Sequence, residues 1–475
     1  MDRDLRSGIA LRVDPATTID ERLAIGRAIR AEVPRTTLAA YQPASERDPI
    51  EILEAQAASR LPGLNPLRYG RMAKSAFAFF RGAAAIMADD LAPTARTPIH
   101  VQLCGDAHLS NFGIFASPER RLVFDINDFD ETLRGPFCWD VKRLAASLVI
   151  CAQDLGFTPA EQEHALVSGL RSYVDGINRL TSKRHLDVWY SRLEVEELAA
   201  NLERRSTKEQ AEKVEGLLNR ARRKDAFRAM RKLTEQRDGR VQFRDDPPIL
   251  VRMATVTGDD PLYNEDEVER ILGSYHASLP DDRQVLLSQY RVVDFARKVV
   301  GVGSVGTRCY VALLLGIDEG DPIFLQIKEA QPSVLEKYLA PTPYANHGRR
   351  VVEGQRMVQA TPDIFLGWQQ MEGEDGEVRD FYVRQLHDQK ASVELESLDP
   401  ILLEAYARVC GRALARAHAR SGYRFVLAGY LGKGNVFVET LASFAFSYAQ
   451  QNAADHAKLV QAIRAGRIAA IVEAD

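Results

Sequence analysis

Apolar residues recur with two different periods along the chain, and these periods predict both strands and helices. Short alternating or apolar segments predict strands at residues 99–103, 111–115, 122–126, 292–300, 310–315, 323–327 and 381–386. Apolar residues spaced three and four apart predict helices at residues 20–33, 70–91, 139–152, 159–180, 347–359 and 400–420. The strands between residues 292 and 327 are separated by short turns and predict an antiparallel meander. The pattern therefore indicates the α+β class.

Changes in this pattern divide the chain into four parts. Residues 1–65 are interrupted by prolines and are expected to be peripheral. Residues 66–289 predict a mostly helical part that also carries the first polar loops, and residues 290–390 predict a lobe rich in strands. Residues 391–475 are mostly helical and are expected to complete the first helical part.

Composition excludes some classes of function. Apolar residues make up 45% of the 475 residues, charged residues 27%, and the net charge is −4, which is ordinary for a globular protein and gives no whole-chain case for nucleic-acid or membrane binding. The first six residues lack the apolar stretch of a secretory signal, and no apolar run is long enough to span a membrane. Five scattered cysteines lack metal-site spacing and predict reduced thiols. A cytoplasmic protein without a membrane partner is expected, and its oligomeric state stays open.

One local departure from this balance is the segment 201–240. It holds thirteen Lys or Arg and seven Asp or Glu. Such a segment predicts solvated helices, and a module that binds an anionic partner is the alternative. Since no aromatic residues are interleaved as in a single-strand channel, nucleic acid is not expected as a partner.

A polar loop follows the first predicted strand and carries the residues of a candidate catalytic centre. Asp106 and Asn111 lie five residues apart on it. A carboxylate can accept a proton from a hydroxyl group, and amide and carboxylate oxygens bind Mg²⁺. Asp106 is therefore the expected base and Asn111 a metal ligand. Clustered carboxylates farther on favour a bound cation. The pair Asp128-Phe129 resembles the Asp-Phe pair that ends the corresponding strand in phosphotransferases, which implies Asp128 as the second metal ligand; Asp125, whose distance from Asn111 fits better, is the alternative.

A glycine-rich loop lies far downstream, between two predicted strands. Gly301, Gly303 and Gly306 have the spacing G-x-G-x-x-G, with Ser304 among them. In a dinucleotide-binding fold the last glycine would open a helix, whereas here a strand follows. A strand–loop–strand arrangement is the one by which kinases cover phosphates. These four residues are therefore expected to bind a nucleotide cofactor, because glycines let the backbone approach the phosphates closely.

Lys328 lies on the third strand of the predicted meander. In kinases, the corresponding lysine pairs with nucleotide phosphates and is oriented by a glutamate from the next helix. Glu353 is the first choice for that glutamate, and Glu336 is the second. The predicted strand 381–386 stands where kinases bind adenine, so Gln385 is a further candidate for cofactor binding.

These motifs resemble known phosphotransferases. The loop from Gly105 to Asn111 matches the G-D-x-H-x-x-N form of aminoglycoside and choline phosphotransferases, which implies that His108 is structural. The segment from Gly411 to His418 resembles the G-x-x-L-A-x-x-H helix that precedes this loop in aminoglycoside phosphotransferases. Residues 40–450 are also similar to a bacterial family catalogued as domain of unknown function twenty-two fifty-two, which is regarded as kinase-like and has no established substrate. That similarity is carried by the two motifs together with Arg71-Met72, Phe77 to Gly82, Asp125 to Glu131, Trp139-Asp140 and Arg384-Gln385-Leu386. The segment from Gly105 to Asn111 is called the catalytic loop below, and Asp140 is implied to support it.

The motifs occur in the reverse of the usual kinase order, because the glycine loop follows the catalytic loop. We expect a protein-kinase-like, two-lobed fold in circularly permuted order with extra helices; a site shared across a dimer and two unrelated halves are the alternatives. In the permuted fold Lys328 and Asp128 would hold one nucleotide, with their side chains within about 10 Å of each other.

The predicted function is an ATP- and Mg²⁺-dependent phosphotransferase that acts on a small-molecule hydroxyl group. A nucleotide-binding regulatory protein without turnover and an enzyme that transfers AMP are the alternatives.

Overall fold

The structure, a computed structural model, describes residues 11–43, 47–203, 207–222, 226–257, 265–299, 301–372, 376–386 and 390–471. Helices and strands occur in separate runs along the chain, so the predicted α+β class is confirmed. Within the described residues, no helix combines the length and the apolar character needed to cross a membrane. The first six residues, on which the expectation of a missing signal rests, lie outside the described residues. All five cysteines are buried and unpaired, as expected.

The first part of the chain packs helices around two small pairs of strands. Its elements are α1 (Ile19–Glu32), α2 (Pro49–Ala57), α3 (Asn65–Ala73), α4 (Ala76–Gly82), α5 (Ala84–Leu91), β1 (His100–Leu103), β2 (Phe112–Ala116), β3 (Leu122–Ile126), β4 (Leu133–Pro136), α6 (Cys138–Asp154) and α7 (Pro159–Leu180). β1 pairs with β4 and β2 pairs with β3, both antiparallel. The single helix predicted over residues 70–91 is divided, because Ser75 caps a new helix by accepting a hydrogen bond from the N–H of Ala78.

A mainly helical segment follows. It contains α8 (His185–Trp189), α9 (Val195–Glu203), α10 (Lys208–Arg222), α11 (Ala226–Leu233), β5 (Thr234–Arg237), β6 (Arg240–Phe243), β7 (Leu250–Arg252), α12 (Met253–Thr257), α13 (Glu265–Ser278) and α14 (Asp281–Leu287). The helices expected for the basic segment are confirmed. The β5–β6 hairpin that ends this segment was not expected, since its strands consist mostly of polar residues.

Six antiparallel strands form the largest sheet. The remaining elements of this region are β8 (Arg291–Lys298), β9 (Cys309–Leu315), β10 (Pro322–Glu329), α15 (His347–Val358), β11 (Gly367–Glu372) and β12 (Val378–Gln385). The strand order is β11-β12-β10-β9-β8-β7. The predicted meander of β8, β9 and β10 is confirmed, and every residue of β9 and β10 is buried because these strands lie inside the sheet.

The last elements return to the first part of the chain. β13 (Ala391–Ser392) pairs with β2, and α16 (Pro400–Ser421), α17 (Arg424–Leu431) and α18 (Asn435–Arg464) follow. α16 packs along α7, and α18 packs along α6. The approach of α16 is close enough that a Cβ atom on Gly411 would lie 2.3 Å from the carbonyl oxygen of Gly169. One hydrophobic core therefore joins the two ends of the chain.

Candidate active site

The loop between β1 and β2 is anchored by Asp140, in the first turn of α6. Asp140 is fully buried and accepts hydrogen bonds from the backbone N–H groups of Cys104 at 2.9 Å and Gly105 at 3.1 Å. Gly105 has a φ of +85°, in the left-handed region that favours glycine. Nε2 of His418, on α16, lies 3.3 Å from Oδ2 of Asp140, and its Nδ1 lies 2.9 Å from the hydroxyl of Tyr173. The contact expected between Asp140 and the catalytic loop is therefore present.

Asp106 stands at the turn of this loop with one carboxylate oxygen engaged. Arg143 Nε donates to Asp106 Oδ1 at 2.7 Å, while Oδ2 lies 3.6 Å from Nε2 of His108. Asn111 Nδ2 donates to the backbone carbonyl of Asp106 at 2.7 Å, which fixes the orientation of the Asn111 amide. Burial lowers the pKa of His108 to about 4, so this ring is neutral at physiological pH. His108 is a buried residue of the loop and fits the structural role implied for it.

Lys328 projects from β10 into a cluster of carboxylates. It is 2% exposed and makes an ion pair with Oδ2 of Asp130. Its Nζ lies 3.8 Å from Oδ1 of Asp128. Tyr382, the cross-strand neighbour of Lys328 on β12, donates its hydroxyl hydrogen to Asp130 Oδ1 at 2.8 Å. The expectation that Lys328 and Asp128 lie within about 10 Å of each other in one chain is confirmed.

The charges of this cluster stabilise one another. Burial opposes the charge of Lys328, but the carboxylates of Asp128 and Asp130 outweigh it and raise the Lys328 pKa above its ordinary value. Burial also opposes the charge of Asp128, and the cations Lys328 and Arg384 overcome it and lower the Asp128 pKa to about 2. Lys328 and Asp128 are therefore both charged at neutral pH.

Glu353 does not orient Lys328, so that prediction is wrong. Its carboxylate lies 3.3 Å from Nη1 of Arg356, one turn farther along α15. Arg350, on the same helix, instead donates to the backbone carbonyl of Asp130 at 2.8 Å. The second choice, Glu336, pairs with Arg350 at 3.6 Å and not with Lys328.

The predicted metal ligands fall in two different environments. Asn111 and Asp128 line one cavity together, whereas Asp125 is buried in an ion pair with Arg416 of α16. Burial raises the pKa of Asp125, against the opposing effect of Arg416. Within the described ranges, no three His, Cys, Asp or Glu side chains come together as a metal site. Mg²⁺ retains water and phosphate oxygens and needs only one or two carboxylates, so Asn111 and Asp128 fit it as a donor set.

The glycine loop joins β8 to β9 and contains a short helical turn at Val302–Ser304. Gly301 and Gly303 lie against Arg81: added Cβ atoms would be 4.0 Å from its Nη2 and 3.5 Å from its backbone oxygen, respectively. Gly306 has a φ of +90°, and its carbonyl accepts a hydrogen bond from Leu61 N–H at 2.7 Å. The expected strand–loop–strand hairpin is present, and the N-terminal helical part covers it.

Gln385, the further candidate for cofactor binding, is the last residue of β12. Its backbone N–H donates to Asp363 Oδ2 at 2.5 Å, and its side chain is partly exposed. Gln385 does not line the cavity that contains Asp128. Its expected contact with a nucleotide stays a prediction.

A cavity of about 150 Å³ brings together residues from both halves of the chain. Seven of the predicted site residues line it: Asp106, Asn111, Asp128, Gly301, Gly303, Ser304 and Lys328. Typical small-molecule sites enclose roughly 300–1,000 Å³. The cavity is therefore smaller than a typical site that encloses a whole small molecule.

Besides His108, five further ionisable residues line this cavity and were not predicted as site residues: Arg60, Arg81, Asp130, Glu131 and Arg384. Asp130 lies in the same carboxylate cluster as Asp128, but it lacks the following phenylalanine by which Asp128 was chosen. The sequence offers a signal for Arg81, since Phe77, Phe79 and Phe80 beside it are core residues and core packing does not explain an arginine there. Arg60 belongs to the segment that was expected to be peripheral.

Comparison with known proteins gives one match. A family model described as an uncharacterised protein conserved in bacteria (DUF2252) matches residues 60–462. No curated protein and no solved structure matches the chain. The matched residues include the catalytic loop, the glycine loop, Lys328 and α16, and they make up most of the chain. The chain therefore belongs to the DUF2252 family of bacterial proteins.

Proposed function

We propose that this protein is an ATP- and Mg²⁺-dependent phosphotransferase with a kinase-like fold in permuted order. The observation that carries the proposal is the position of Lys328. Nζ of Lys328 lies 3.8 Å from Oδ1 of Asp128, in the cavity that Asp106 and Gly303 also line. Lys328 and Gly303 are nevertheless far from Asp106 and Asp128 in the sequence. Phosphoryl transfer needs a base, metal ligands and a phosphate-binding lysine around one nucleotide, and this cavity holds a candidate for each.

The roles follow from the geometry. Oδ2 of Asp106 can accept the proton of an acceptor hydroxyl, because the hydrogen bond from Arg143 goes to Oδ1. Asn111 and Asp128 are the residues that would hold Mg²⁺, which supplies neutralisation of phosphate charge when bound. Lys328 would exchange its ion pair with Asp130 for nucleotide phosphates. Catalysis would then rest on positioning and charge stabilisation.

The position of α16 supports the permuted order. In the ordinary order, the helix with the G-x-x-L-A-x-x-H pattern leads directly into the strand before the catalytic loop. Here the end of α16 lies beside β1, since Ser421 Oγ accepts a hydrogen bond from the N–H of Gln102 at 3.1 Å. A Cβ atom on Gly422 would also lie 2.7 Å from Val101. In the ordinary order a link would join the end of α16 to the start of β1, and the permutation removes this one link. Exposed chain ends tolerate such breaks in the chain.

Mg-ATP binding is the first test. A ligand that binds only the folded state adds about 2.7 kcal/mol of stability at a hundredfold excess over its Kd. We expect Mg-ATP to raise the melting temperature of the wild type, and Lys328→Met to remove most of that increase. Lys337→Met is the matched control, because Lys337 is 71% exposed and lies on the surface. An unchanged melting temperature of the wild type with both ATP and GTP would refute the proposal.

Product analysis separates the alternatives. Purified protein is incubated with Mg-ATP and a library of hydroxyl-bearing metabolites. ADP indicates phosphoryl transfer, and AMP with pyrophosphate indicates nucleotidyl transfer. Retained Mg-ATP binding without either product across the library indicates a nucleotide-binding regulatory protein.

A further inference from the structure

Arg81, near the end of α4, lies against the glycine loop. A Cβ atom on Gly301 would be 4.0 Å from Nη2 of Arg81, and one on Gly303 would be 3.5 Å from its backbone oxygen. Both glycines line the same cavity as Arg81 and Asp106. The guanidinium of Arg81 therefore lies beside the backbone that is proposed to cover the nucleotide phosphates.

A second arginine ties α4 to the candidate base. Arg143 donates from Nε to Oδ1 of Asp106 at 2.7 Å and from Nη2 to the backbone carbonyl of Phe80 at 2.6 Å. Its guanidinium carbon also lies 3.8 Å from the centre of the Phe80 ring. Since Phe80 directly precedes Arg81, these contacts hold the backbone of Arg81 close to Asp106. Arg81 is thus fixed between the candidate base and the glycine loop.

The donors of the Arg81 guanidinium are not used by the protein. Within the described residues its side chain makes no hydrogen bond and no ion pair, and its Nε is buried without a partner. Arg60, Lys328 and Arg384 also line the cavity, but each of them donates to a protein oxygen. A buried donor without an acceptor is unfavourable. Phosphate oxygens would satisfy it, because the planar fork of an arginine matches the geometry of a phosphate.

The position of Arg81 decides which phosphate it can reach. In phosphoryl transfer, the transferred group lies between the base that receives the acceptor proton and the groups that bind the rest of the nucleotide. In this cavity the base is Asp106, and the other groups are the glycine loop and Lys328. Arg81 lies beside both the glycine loop and the base, so the transferred phosphate is the one nearest to it.

We infer that Arg81 binds the terminal phosphate of ATP and stabilises its charge during transfer, and that Arg143 positions it there. This inference rests on the proposed function. The acceptor oxygen bonds to the γ-phosphorus as Asp106 takes the hydroxyl proton, and the bond from the γ-phosphorus to the bridging oxygen breaks with its electron pair leaving on ADP. Arg81 donates to the γ-phosphate oxygens that neither enter nor leave, where charge is spread in the transition state.

A comparison of Mg-ATP with Mg-ADP separates a contact to the terminal phosphate from a general effect on the site. Melting temperatures of the full chain are measured across titrations of each nucleotide for the wild type, Arg81→Gln, Arg81→Lys and Arg184→Gln. Arg184 is the matched control because its side chain is 87% exposed and pairs with surface Asp187.

We expect Arg81→Gln to bind Mg-ATP about tenfold more weakly than the wild type, because a charged hydrogen-bond donor to the γ-phosphate is lost. Its affinity for Mg-ADP, which lacks that phosphate, should change less than about twofold. Arg184→Gln should bind both nucleotides as the wild type does. Arg81→Lys keeps the charge and loses the planar fork, so it should show the same selective loss of Mg-ATP affinity in smaller measure, and it decides the test if Arg81→Gln does not fold.

Two results would overturn the inference while leaving the proposed function intact. Equal losses of Mg-ATP and Mg-ADP affinity would show that Arg81 holds the inner phosphates or only the shape of the glycine loop. Unchanged affinity for Mg-ATP in both Arg81 variants would show that Arg81 does not contact the nucleotide. Failure of the proposed function looks different, because the wild type itself would then gain no stability from Mg-ATP, and the inference would fall with it.

Discussion

The ion pair between Lys328 and Asp130 gives a stability prediction that does not depend on any ligand. Lys328→Met keeps the length of the side chain and removes its charge. It leaves the carboxylates of Asp130 and Asp128 without their nearest cation, although their side chains are 29% and 32% exposed. Removal of one partner from a fully buried pair costs about 3–5 kcal/mol. Because water reaches these carboxylates, we expect a loss of about 2 kcal/mol for Lys328→Met.

A second substitution makes the prediction specific to this pair. Asp130→Asn keeps an oxygen for the hydroxyl of Tyr382 and removes the charge that faces Lys328. If the pair is responsible, the double variant Lys328→Met/Asp130→Asn loses less than the sum of the single losses, with a coupling energy of about 1–2 kcal/mol. The same substitution at exposed Lys337 should change stability by less than about 0.5 kcal/mol.

Urea unfolding followed by far-ultraviolet circular dichroism measures these differences from the midpoints, provided that all variants show the same slope. Additive losses, with a coupling energy below about 0.3 kcal/mol, would show that Lys328 is not stabilised by Asp130. A fully stable Lys328→Met protein would refute the electrostatic reasoning as a whole, since it implies that neither carboxylate depends on this lysine.

Three further predictions concern the cavity. Asp106→Asn should keep Mg-ATP stabilisation and lower the rate of ADP formation by roughly 10² or more; an unchanged rate would exclude Asp106 as the base. Asp128→Asn should abolish the Mg²⁺ dependence of ATP binding, whereas Asp125→Asn should preserve it and destabilise the fold; titrations in which Asp125→Asn alone affects Mg²⁺ would reverse the metal assignment. Burial raises the pKa of Glu131 from its ordinary 4.5 to about 7, so the folded state holds a proton between these values that the unfolded state loses, and stability falls as the pH rises through this window. Glu131→Gln should match the wild type at pH 4.5 and exceed its stability by about 2 kcal/mol above pH 7 in urea unfolding; a constant difference across pH would disprove the assignment.

Local signals explain what the sequence predicted well. The helix predicted over residues 159–180 has those ends in the structure, because Thr158 and Glu161 form a capping box and Pro159 occupies the first turn. The loop that carries Asp106 and the position of Lys328 were also predicted from local patterns. The loop follows β1 and Lys328 lies on β10, and the side chains of a strand point alternately to its two faces.

The partner of Lys328 could not be found in this way. Glu353 fits the kinase pattern, but the docking of α15 places Arg350 against the Asp130 loop instead. Spacing within a helix does not reveal which face a distant loop will contact. The contribution of Arg60 was missed for the same reason, since it depends on how a segment rich in prolines and loops packs over the glycine hairpin.

The packing of the chain's last helices against its early ones has a consequence for synthesis on the ribosome. α6 emerges long before α18, against which it packs, and the carboxylates of Asp128 and Asp130 emerge before Lys328. Contacts between such distant segments form slowly because a long loop must close first. A growing chain therefore exposes the loop that carries Asp106 before Lys328 has been made, and the cavity is complete only after translation has delivered both halves.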